Sequence, residues 1–260
     1  MSILVFDIET VPDFQAGRQI NALKDLSDED VVKAMQHLRF QKSGTEFMAL
    51  HLHRIVAISV VFEQGDQIRV WSLGSIDSDE KELVKRFFEG IDQYTPTLVS
   101  WNGAGFDLPV LNYRSLLHGV QAPRYWEIGD DDTSFRYNNY VNRYHWRHVD
   151  LMDVLGNFQP RAGAKLDEIA TMLGFPGKFG MSGADVWGRY QEGEIEDIRD
   201  YCETDVLNTY LVYLRFDLIR GRCSSELYNE KLERVKQMLR DSKQKHLQEF
   251  LAVWEGDNAQ

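Results

Sequence analysis

Three groups of residues with acidic side chains, about one hundred positions apart, could together supply the chemistry of one site. Asp7 and Glu9 stand near the start of the chain, Asp107 follows the segment 101–106 (WNGAGF), and Tyr201 stands four residues before Asp205. Carboxylates that share a pocket repel one another unless a cation balances their charge. Four carboxylates and a phenol therefore predict a site for two divalent metal ions and a water molecule directed at a phosphate.

The segment around the first pair predicts the element that holds it. Residues 2–6 (SILVF) form a short apolar run, which is typical of a buried strand. Side chains two positions apart lie on the same face of a strand, so Asp7 and Glu9 should point in one direction from the end of this strand.

The other acidic residues fall beside predicted elements as well. Tyr201 and Asp205 lie in the segment 195–216, whose apolar residues have helical spacing, and residues four apart are neighbours on a helix face. Asp107 follows a predicted strand over 97–101, and Pro109 suits the first turn of a helix over about 108–117. Each acidic side chain should therefore be held by a rigid scaffold.

Each of these signals is ordinary when it is taken alone. The chain has 41 acidic residues, a helical tyrosine usually packs against a core, and Asp107 could simply cap a helix. Their order and their wide spacing favour a common site. Ligands that are all hard oxygen atoms favour magnesium or manganese over zinc, which prefers histidine and cysteine.

The segments 6–10 (FDIET), 101–111 (WNGAGFDLPVL) and 201–205 (YCETD) resemble the three exonuclease motifs of the DEDDy 3′–5′ exonucleases. They are most similar to those of the proofreading domain of family-B DNA polymerases, and the resemblance extends over about residues 1–216. The histidine branch of this superfamily carries histidine where this chain has Asp200, which favours the tyrosine branch. No polymerase domain would fit in the remainder, so we expect a stand-alone exonuclease.

The resemblance also implies a role for each residue. Asp7 would bridge two magnesium or manganese ions, Glu9 and Asp205 would complete the first metal site, and Asp107 would support the second. The hydroxyl of Tyr201 would orient the attacking water, and nucleoside 5′-monophosphates would leave from the 3′ end.

Residues that contact the substrate are expected beside these motifs. By resemblance, Asn102 and Phe106 would shape the pocket of the terminal nucleotide, and Thr10 belongs to the first motif. Alternatively, Asn102 only ties its loop and Phe106 only fills the core. Lys178, in a glycine-rich loop, could contact a phosphate or face solvent.

The segment 135–148 combines arginines with aromatic residues and contains no acidic residue. Arginines for phosphates and aromatic rings for bases are the components of a groove for a single strand. Packing of a tyrosine-rich edge or hairpin on the sheet explains the pattern equally well. The candidate arginines are Arg136, Arg143 and Arg147.

Strand and helix patterns alternate along the chain and predict an α/β fold. Strands over 54–62 and 67–73 should form a hairpin, a further strand should cover 145–149, and helices are expected over 79–94 and 165–173. This pattern predicts a mixed sheet with helices on both faces, and the resemblance implies the ribonuclease-H-like fold with five strands. We expect one domain over 1–220, with an insertion over about 14–50, and a C-terminal helical extension over 221–260 that packs on the core.

Composition narrows the function classes. A net charge of −12 argues against a protein whose main role is charge-driven binding of nucleic acid, although metal ions can invert the local field of a carboxylate cluster. The longest apolar run is too short to cross a bilayer, and two cysteines give no disulfide framework, so a cytoplasmic location is the expectation. The C-terminal helix could also bind a protein partner or a second copy of the chain.

The expected activity is therefore metal-dependent removal of nucleotides from the 3′ ends of single-stranded nucleic acid, with DNA as the first choice. Two alternatives stay open from the sequence. One is an RNA-trimming exonuclease of the same fold, since recognition of the 2′-hydroxyl is a local contact. The other is a binding module without catalysis, which would have no need of four clustered carboxylates.

Overall fold

The computed structural model of the protein describes residues 2–159, 161–177 and 180–257. Five strands form one sheet in the order β3-β2-β1-β4-β5. The neighbours β1 and β2, and β2 and β3, are antiparallel, whereas β1 and β4, and β4 and β5, are parallel, so the predicted mixed five-stranded sheet is confirmed. The strands are β1 (Ser2–Pro12), β2 (His53–Gln64), β3 (Gln67–Ser72), β4 (Thr97–Ser100) and β5 (His148–Asp150).

Helices cover both faces of the sheet, as predicted. One face packs against α3, α4 and α5, and the other packs against α7, α9, α10 and α11. Helices and strands alternate after β3, so parallel pairing of β1, β4 and β5 follows from crossover connections through helices. The helices are α1 (Phe14–Ile20), α2 (Asp28–Ser43), α3 (Glu80–Tyr94), α4 (Asp107–His118), α5 (Pro123–Trp126), α6 (Leu151–Leu155), α7 (Leu166–Met172), α8 (Val186–Glu192), α9 (Ile195–Ile219), α10 (Ser225–Asp241) and α11 (Lys245–Asp257).

The central strand β1 is longer than its apolar run predicted. Ile3 and Val5 face the helix α9, whereas Leu4 and Phe6 face α3, because successive side chains point to opposite faces. The strand continues to Pro12 in pairing with β2, with a register shift after Glu9. The predicted placement of the first acidic pair at the end of the strand was therefore wrong: the pair lies within it.

The edge strand β5 was predicted over 145–149 and is found over His148–Asp150. The preceding residues turn instead of extending: the amide of Asn139 donates to the ring of His145 at 3.0 Å, and Arg147 donates to the carbonyl of Asn138 at 2.5 Å. Contacts within this loop delay the start of the strand.

The insertion over 14–50 carries α1 and α2 between the first two strands, and a buried ion pair anchors its start. The guanidinium of Arg114, in α4, contacts Asp13 at 2.6 Å and Glu80 at 2.5 Å. All three side chains are almost fully buried, so loss of the Arg114 guanidinium would leave two buried carboxylates without this partner, at a cost of about 3–5 kcal/mol. This contact fixes α4, and with it Asp107, against β1.

The C-terminal helices α10 and α11 cover α9. Leu239, Leu247 and Phe250 belong to the same buried cluster as Ile3 and Val5 of β1. These three apolar side chains of the C-terminal helices are thus buried within the chain itself. The division into units at residue 220 remains a prediction.

One polar contact joins α11 to α9. The ring of His246 lies 3.0 Å from Asp200 Oδ1 and 2.9 Å from Glu203 Oε2, and Glu203 also accepts from Ser72 at 2.8 Å. Burial alone would lower the pKa of His246, but the two carboxylates outweigh it and raise the pKa to about 9. His246 is therefore charged at neutral pH.

None of the helices in the described ranges is both long enough and apolar enough to cross a membrane.

Candidate active site

The first acidic pair lies on the face of β1 that α9 covers. Asp7 and Glu9 continue the register of Ile3 and Val5, so their side chains face α9 where the apolar contacts end. The Sγ atom of Cys202 lies 3.6 Å from Asp7 Oδ2. Ligand atoms of Asp7, Glu9 and Cys202 lie within 4.8 Å of one another, which is a spacing that a single metal ion could span.

Asp107 is the first residue of α4, which packs on the opposite face of the sheet, and its side chain also contacts β1. Its Oδ1 atom accepts a hydrogen bond of 3.2 Å from the backbone amide of Ile8. This amide is free to donate because β4 pairs with β1 only from Ile3 to Val5. Burial raises the pKa of Asp107 to about 7, against the hydrogen bonds it accepts from backbone amides.

A fifth acidic residue holds the loop of the second motif. Asp150, at the end of β5, accepts from the backbone amides of Asn102 and Ala104, both at 2.9 Å. The same turn requires Gly103, since a side chain there would collide with Ser100. Our sequence reasoning did not assign a role to Asp150. The available signal was its position after a predicted strand, which matches that of the second motif.

The third motif lies on α9 as predicted. Tyr201 and Asp205 lie one helical turn apart on α9, so the phenol and the carboxylate are neighbours on one face of the helix. Burial, then the charges of Asp205 and Glu9, raise the pKa of Tyr201 far above its ordinary value, so the phenol stays protonated near neutral pH.

The negative charges of the site favour the binding of a cation. Burial, followed by repulsion from Asp107, Glu9 and Asp205, raises the pKa of Asp7 well above its ordinary value, and burial with the same kind of repulsion raises that of Glu9. Within the described ranges, Asp7, Glu9 and Asp107 form no ion pair with a basic side chain. Hard carboxylate oxygens that repel one another in a buried pocket fit a divalent cation.

The residues predicted to contact a nucleotide are sequence neighbours of the first and second motif acids. Thr10 follows Glu9, and its hydroxyl lies 2.9 Å from Nδ1 of His53. Asn102 adopts a left-handed backbone (φ 63°), and its carbonyl accepts from the amides of Gly105 and Phe106, so it does shape the loop. The Phe106 ring lies edge-on to His53 at 5.0 Å, beside the cluster.

The arginine-rich segment is a folded loop and not a hairpin, and its three arginines make different contacts. Arg147 lies 3.6 Å above the ring of Phe135 and so fastens the loop. Arg143 pairs with Asp153 at 2.7 Å and lines a cavity of about 390 Å³ that reaches Asn102 of the second motif. Arg136 is exposed to solvent.

The aromatic residues of the same loop include both buried and exposed side chains, and Tyr144 and Trp146 are 65% and 50% exposed. Tyr140 is buried and donates to the carbonyl of Pro96, and Trp146 stacks on Phe216 of α9. Tyr137 is 84% exposed. Lys178 lies outside the described residues.

Comparison with known proteins shows that the chain matches a known protein family. Residues 45–254 match the family described as "Predicted 3'-5' exonuclease related to the exonuclease domain of PolB". The matched range includes the second and third motifs and covers most of the chain. This protein therefore belongs to that family of nucleases, which is related to the proofreading domains of DNA polymerases.

Similar proteins include DNA polymerases. The chain is 26% identical over 161 residues to a DNA polymerase of Archaeoglobus fulgidus, covering 61% of this chain and 19% of the polymerase. It is 26% identical over 148 residues to the catalytic chain of DNA polymerase epsilon from Saccharomyces cerevisiae, covering 54% of this chain and 6% of the yeast protein. The chain thus spans a fifth or less of these relatives.

A solved structure shares the fold. The family B DNA polymerase of Pyrobaculum calidifontis superposes with a TM-score of 0.50 at 16% identity, over 92% of this chain and 28% of the polymerase. The predicted ribonuclease-H-like fold is thereby confirmed, in the form found in polymerase exonuclease domains.

Proposed function

We propose that this protein is a metal-dependent 3′–5′ exonuclease of the tyrosine type, which hydrolyses phosphodiester bonds at the 3′ ends of single-stranded nucleic acid, with DNA as its substrate. The observation that carries the proposal is the carboxylate cluster of Asp7, Glu9, Asp107 and Asp205. Three elements bring these residues together, and the pKa values of the first three are raised by burial. A member of an exonuclease family has a clear use for such a cluster.

The cluster would hold two magnesium or manganese ions. Asp7 would contact both, Glu9 and Asp205 would complete one site, and Asp107 would support the other. When bound, the metals lower the pKa of water and stabilise the charge that develops on the phosphate. Cys202 is a weak donor beside Asp7 and is not needed for a hard cation.

Tyr201 would orient the attacking water. Its pKa is raised, so it keeps a proton that it can share in a hydrogen bond. Its place on α9, one turn from Asp205, would direct the hydroxyl toward the cluster. Products would be nucleoside 5′-monophosphates.

The strand would approach along the loop of the second motif. Asn102 and Phe106 would contact the terminal nucleotide, Thr10 would lie beside it, and Arg136 and Arg143 would contact phosphates. The cavity next to Arg143 and Asn102 supports this direction. A cytoplasmic location remains a prediction.

Degradation assays on matched DNA and RNA, single- and double-stranded and labelled at either end, test the proposal. Shortening from the 3′ end with release of nucleoside 5′-monophosphates, dependent on magnesium or manganese, is the expected result. A strong preference for RNA would identify a trimming exoribonuclease. Binding without hydrolysis at any metal concentration would identify a non-catalytic module and defeat the proposal.

A further inference from the structure

The insertion between β1 and β2 places an aromatic ring beside the candidate active site. The centroid of the Phe47 ring lies 5.7 Å from that of Phe106 and 5.0 Å from that of His53. The side chain of Phe47 is nevertheless 56% exposed. An apolar ring of this size is left facing solvent next to the second motif.

Hydrogen bonds fix the backbone of Phe47. Its carbonyl accepts from Nε of Arg39, in α2, at 3.0 Å, and its amide donates to the hydroxyl of Thr45 at 3.2 Å. The next residue, Met48, is buried and contacts His53 through its carbonyl at 3.3 Å. The ring is therefore presented at a set position, and little conformational freedom would be lost when a ligand stacks on it.

Two routes connect the Phe47 ring to residues that are sequence neighbours of the carboxylates. Phe106 directly precedes Asp107, and His53 contacts Thr10, which directly follows Glu9. Burial lowers the pKa of His53, so a neutral imidazole supports the two phenyl rings. Phe47 and Phe106, whose rings are tilted by 51° to each other, thus form two adjacent aromatic surfaces, called here the aromatic pair.

We propose that the aromatic pair stacks a base of the substrate strand close to its 3′ end, with Phe47 of the insertion as the outer ring. This inference rests on the proposed function and assigns a positioning role to the insertion. A flat aromatic face accepts every base, because each base has a π-face, so the pair would hold the strand without reading its sequence. The ligand is a nucleobase rather than a protein side chain because Phe106 directly precedes Asp107, one of the residues that would hold the metals at the terminal phosphate.

The test uses the full chain and a single-stranded oligonucleotide with 2-aminopurine at one of its last three positions and phosphorothioate linkages at the 3′ end. Binding is measured in calcium, and stacking quenches the fluorescence of 2-aminopurine. Phe47→Ala should weaken binding by about 5- to 100-fold, the range typical of the loss of one stacked base, and should reduce the quenching. Phe47→Trp should restore both.

A control variant comes from the same insertion. Phe40, in α2, is 54% exposed and, among the described residues, its ring contacts neither Phe106 nor His53, so Phe40→Ala should leave binding and quenching unchanged. An abasic nucleotide at the stacked position should make wild type and Phe47→Ala bind equally. Thermal melting of each variant separates a lost contact from a lost fold.

The outcomes distinguish this inference from the proposed function. If wild type degrades the normal strand while Phe47→Ala matches it in affinity, quenching and KM at every labelled position, the stacking role is overturned and the exonuclease stands. If wild type binds and quenches but hydrolyses nothing with magnesium or manganese, the stacking surface stands and the exonuclease assignment is lost. An effect of Phe47→Ala that persists on abasic strands would show a structural role and would also overturn the inference.

Discussion

At the scale of single residues, substitution of Asp7 should have the greatest effect on activity. The ionised side chain of Asp7 also lowers the stability of the metal-free fold. Burial and the charges of Asp107, Glu9 and Asp205 raise its pKa, so ionised Asp7 destabilises the metal-free fold above its unfolded pKa. Asp7→Ala should abolish hydrolysis, while the melting temperature of the apo protein at neutral pH holds steady or rises. Asp25→Asn, at an exposed turn, is the charge-matched control. If purified Asp7→Ala kept wild-type nuclease activity, the assignment of Asp7 to the active site would be wrong.

Tyr201→Phe removes a hydroxyl and leaves the carboxylates in place. We expect turnover under single-turnover conditions to fall by about 10²–10⁴-fold, with metal affinity nearly unchanged. Tyr210→Phe is a matched control in the same helix, because the Tyr210 hydroxyl donates to Glu63 at 2.9 Å. This control should lose about 1 kcal/mol of stability and keep its turnover. A normal rate for Tyr201→Phe would exclude the phenol from the reaction.

Sequence reasoning at this scale depended on residue types and spacing. Spacing predicted that Asp7 and Glu9 share one face of β1 and that Tyr201 and Asp205 share one face of α9, because strand and helix periodicities are fixed by backbone geometry. It did not predict Asp150 or Phe47. Asp150 accepts hydrogen bonds from backbone amides of a loop, and the Phe47 ring is placed beside Phe106 by the insertion. Neither arrangement produces a spacing pattern in the sequence.

At the scale of elements, the contact between α11 and α9 predicts a pH dependence. The pKa of His246 is raised from about 6.5 to about 9, so its contribution to stability is complete below pH 6.5 and is lost as the pH rises through 9. After a discount for solvent screening, His246→Gln should be destabilised by about 2–3 kcal/mol at pH 6 and should approach wild type above pH 9. Denaturant titrations across this range measure the difference. If the difference in unfolding free energy stayed constant with pH, the proposed ion pairs of charged His246 with Asp200 and Glu203 would be contradicted.

The arginine loop predicts a separable effect on binding. Arg136→Ala with Arg143→Ala should weaken single-strand binding and lower the slope of log K against log salt by about 0.7 for each lost phosphate contact. Arg147→Ala should instead loosen the loop, because its guanidinium packs on Phe135. Arg240→Ala, on α10, is the control. Superimposed curves for the double variant and wild type would support a role for the loop in packing alone.

The elements themselves were predicted better than their bounds. The apolar run 2–6 located β1, but the strand reaches Pro12 because pairing with β2 continues beyond the apolar residues. Pairing of this kind depends on a partner distant in sequence. The late start of β5 has the opposite cause, since local contacts of Asn138 and Asn139 compete with the sheet.

At the scale of the whole molecule, the site lies on one small sheet without a separate strand-separating domain in the described ranges. A paired terminal nucleotide must first unstack and unpair, which costs a few kcal/mol. Single-stranded and mismatched 3′ ends should therefore be cut faster than blunt duplex ends, with activity restored by magnesium or manganese and not by calcium. Initial rates on matched substrates measure this preference. Equal rates would mean that an element such as the insertion separates strands.

The central position of β1 has a consequence for the order in which the chain can mature during synthesis. One face of this strand is covered by α9, whose residues follow almost two hundred positions later. At about 5–20 residues per second, a ribosome needs roughly 10–40 s to pass from the first acidic pair to the third motif. During that interval Ile3 and Val5 lack their permanent cover and the carboxylates lack their full set of neighbours. A nascent chain would therefore carry an exposed sheet centre, and the proposed metal-dependent activity would become possible only after α9 had left the ribosome.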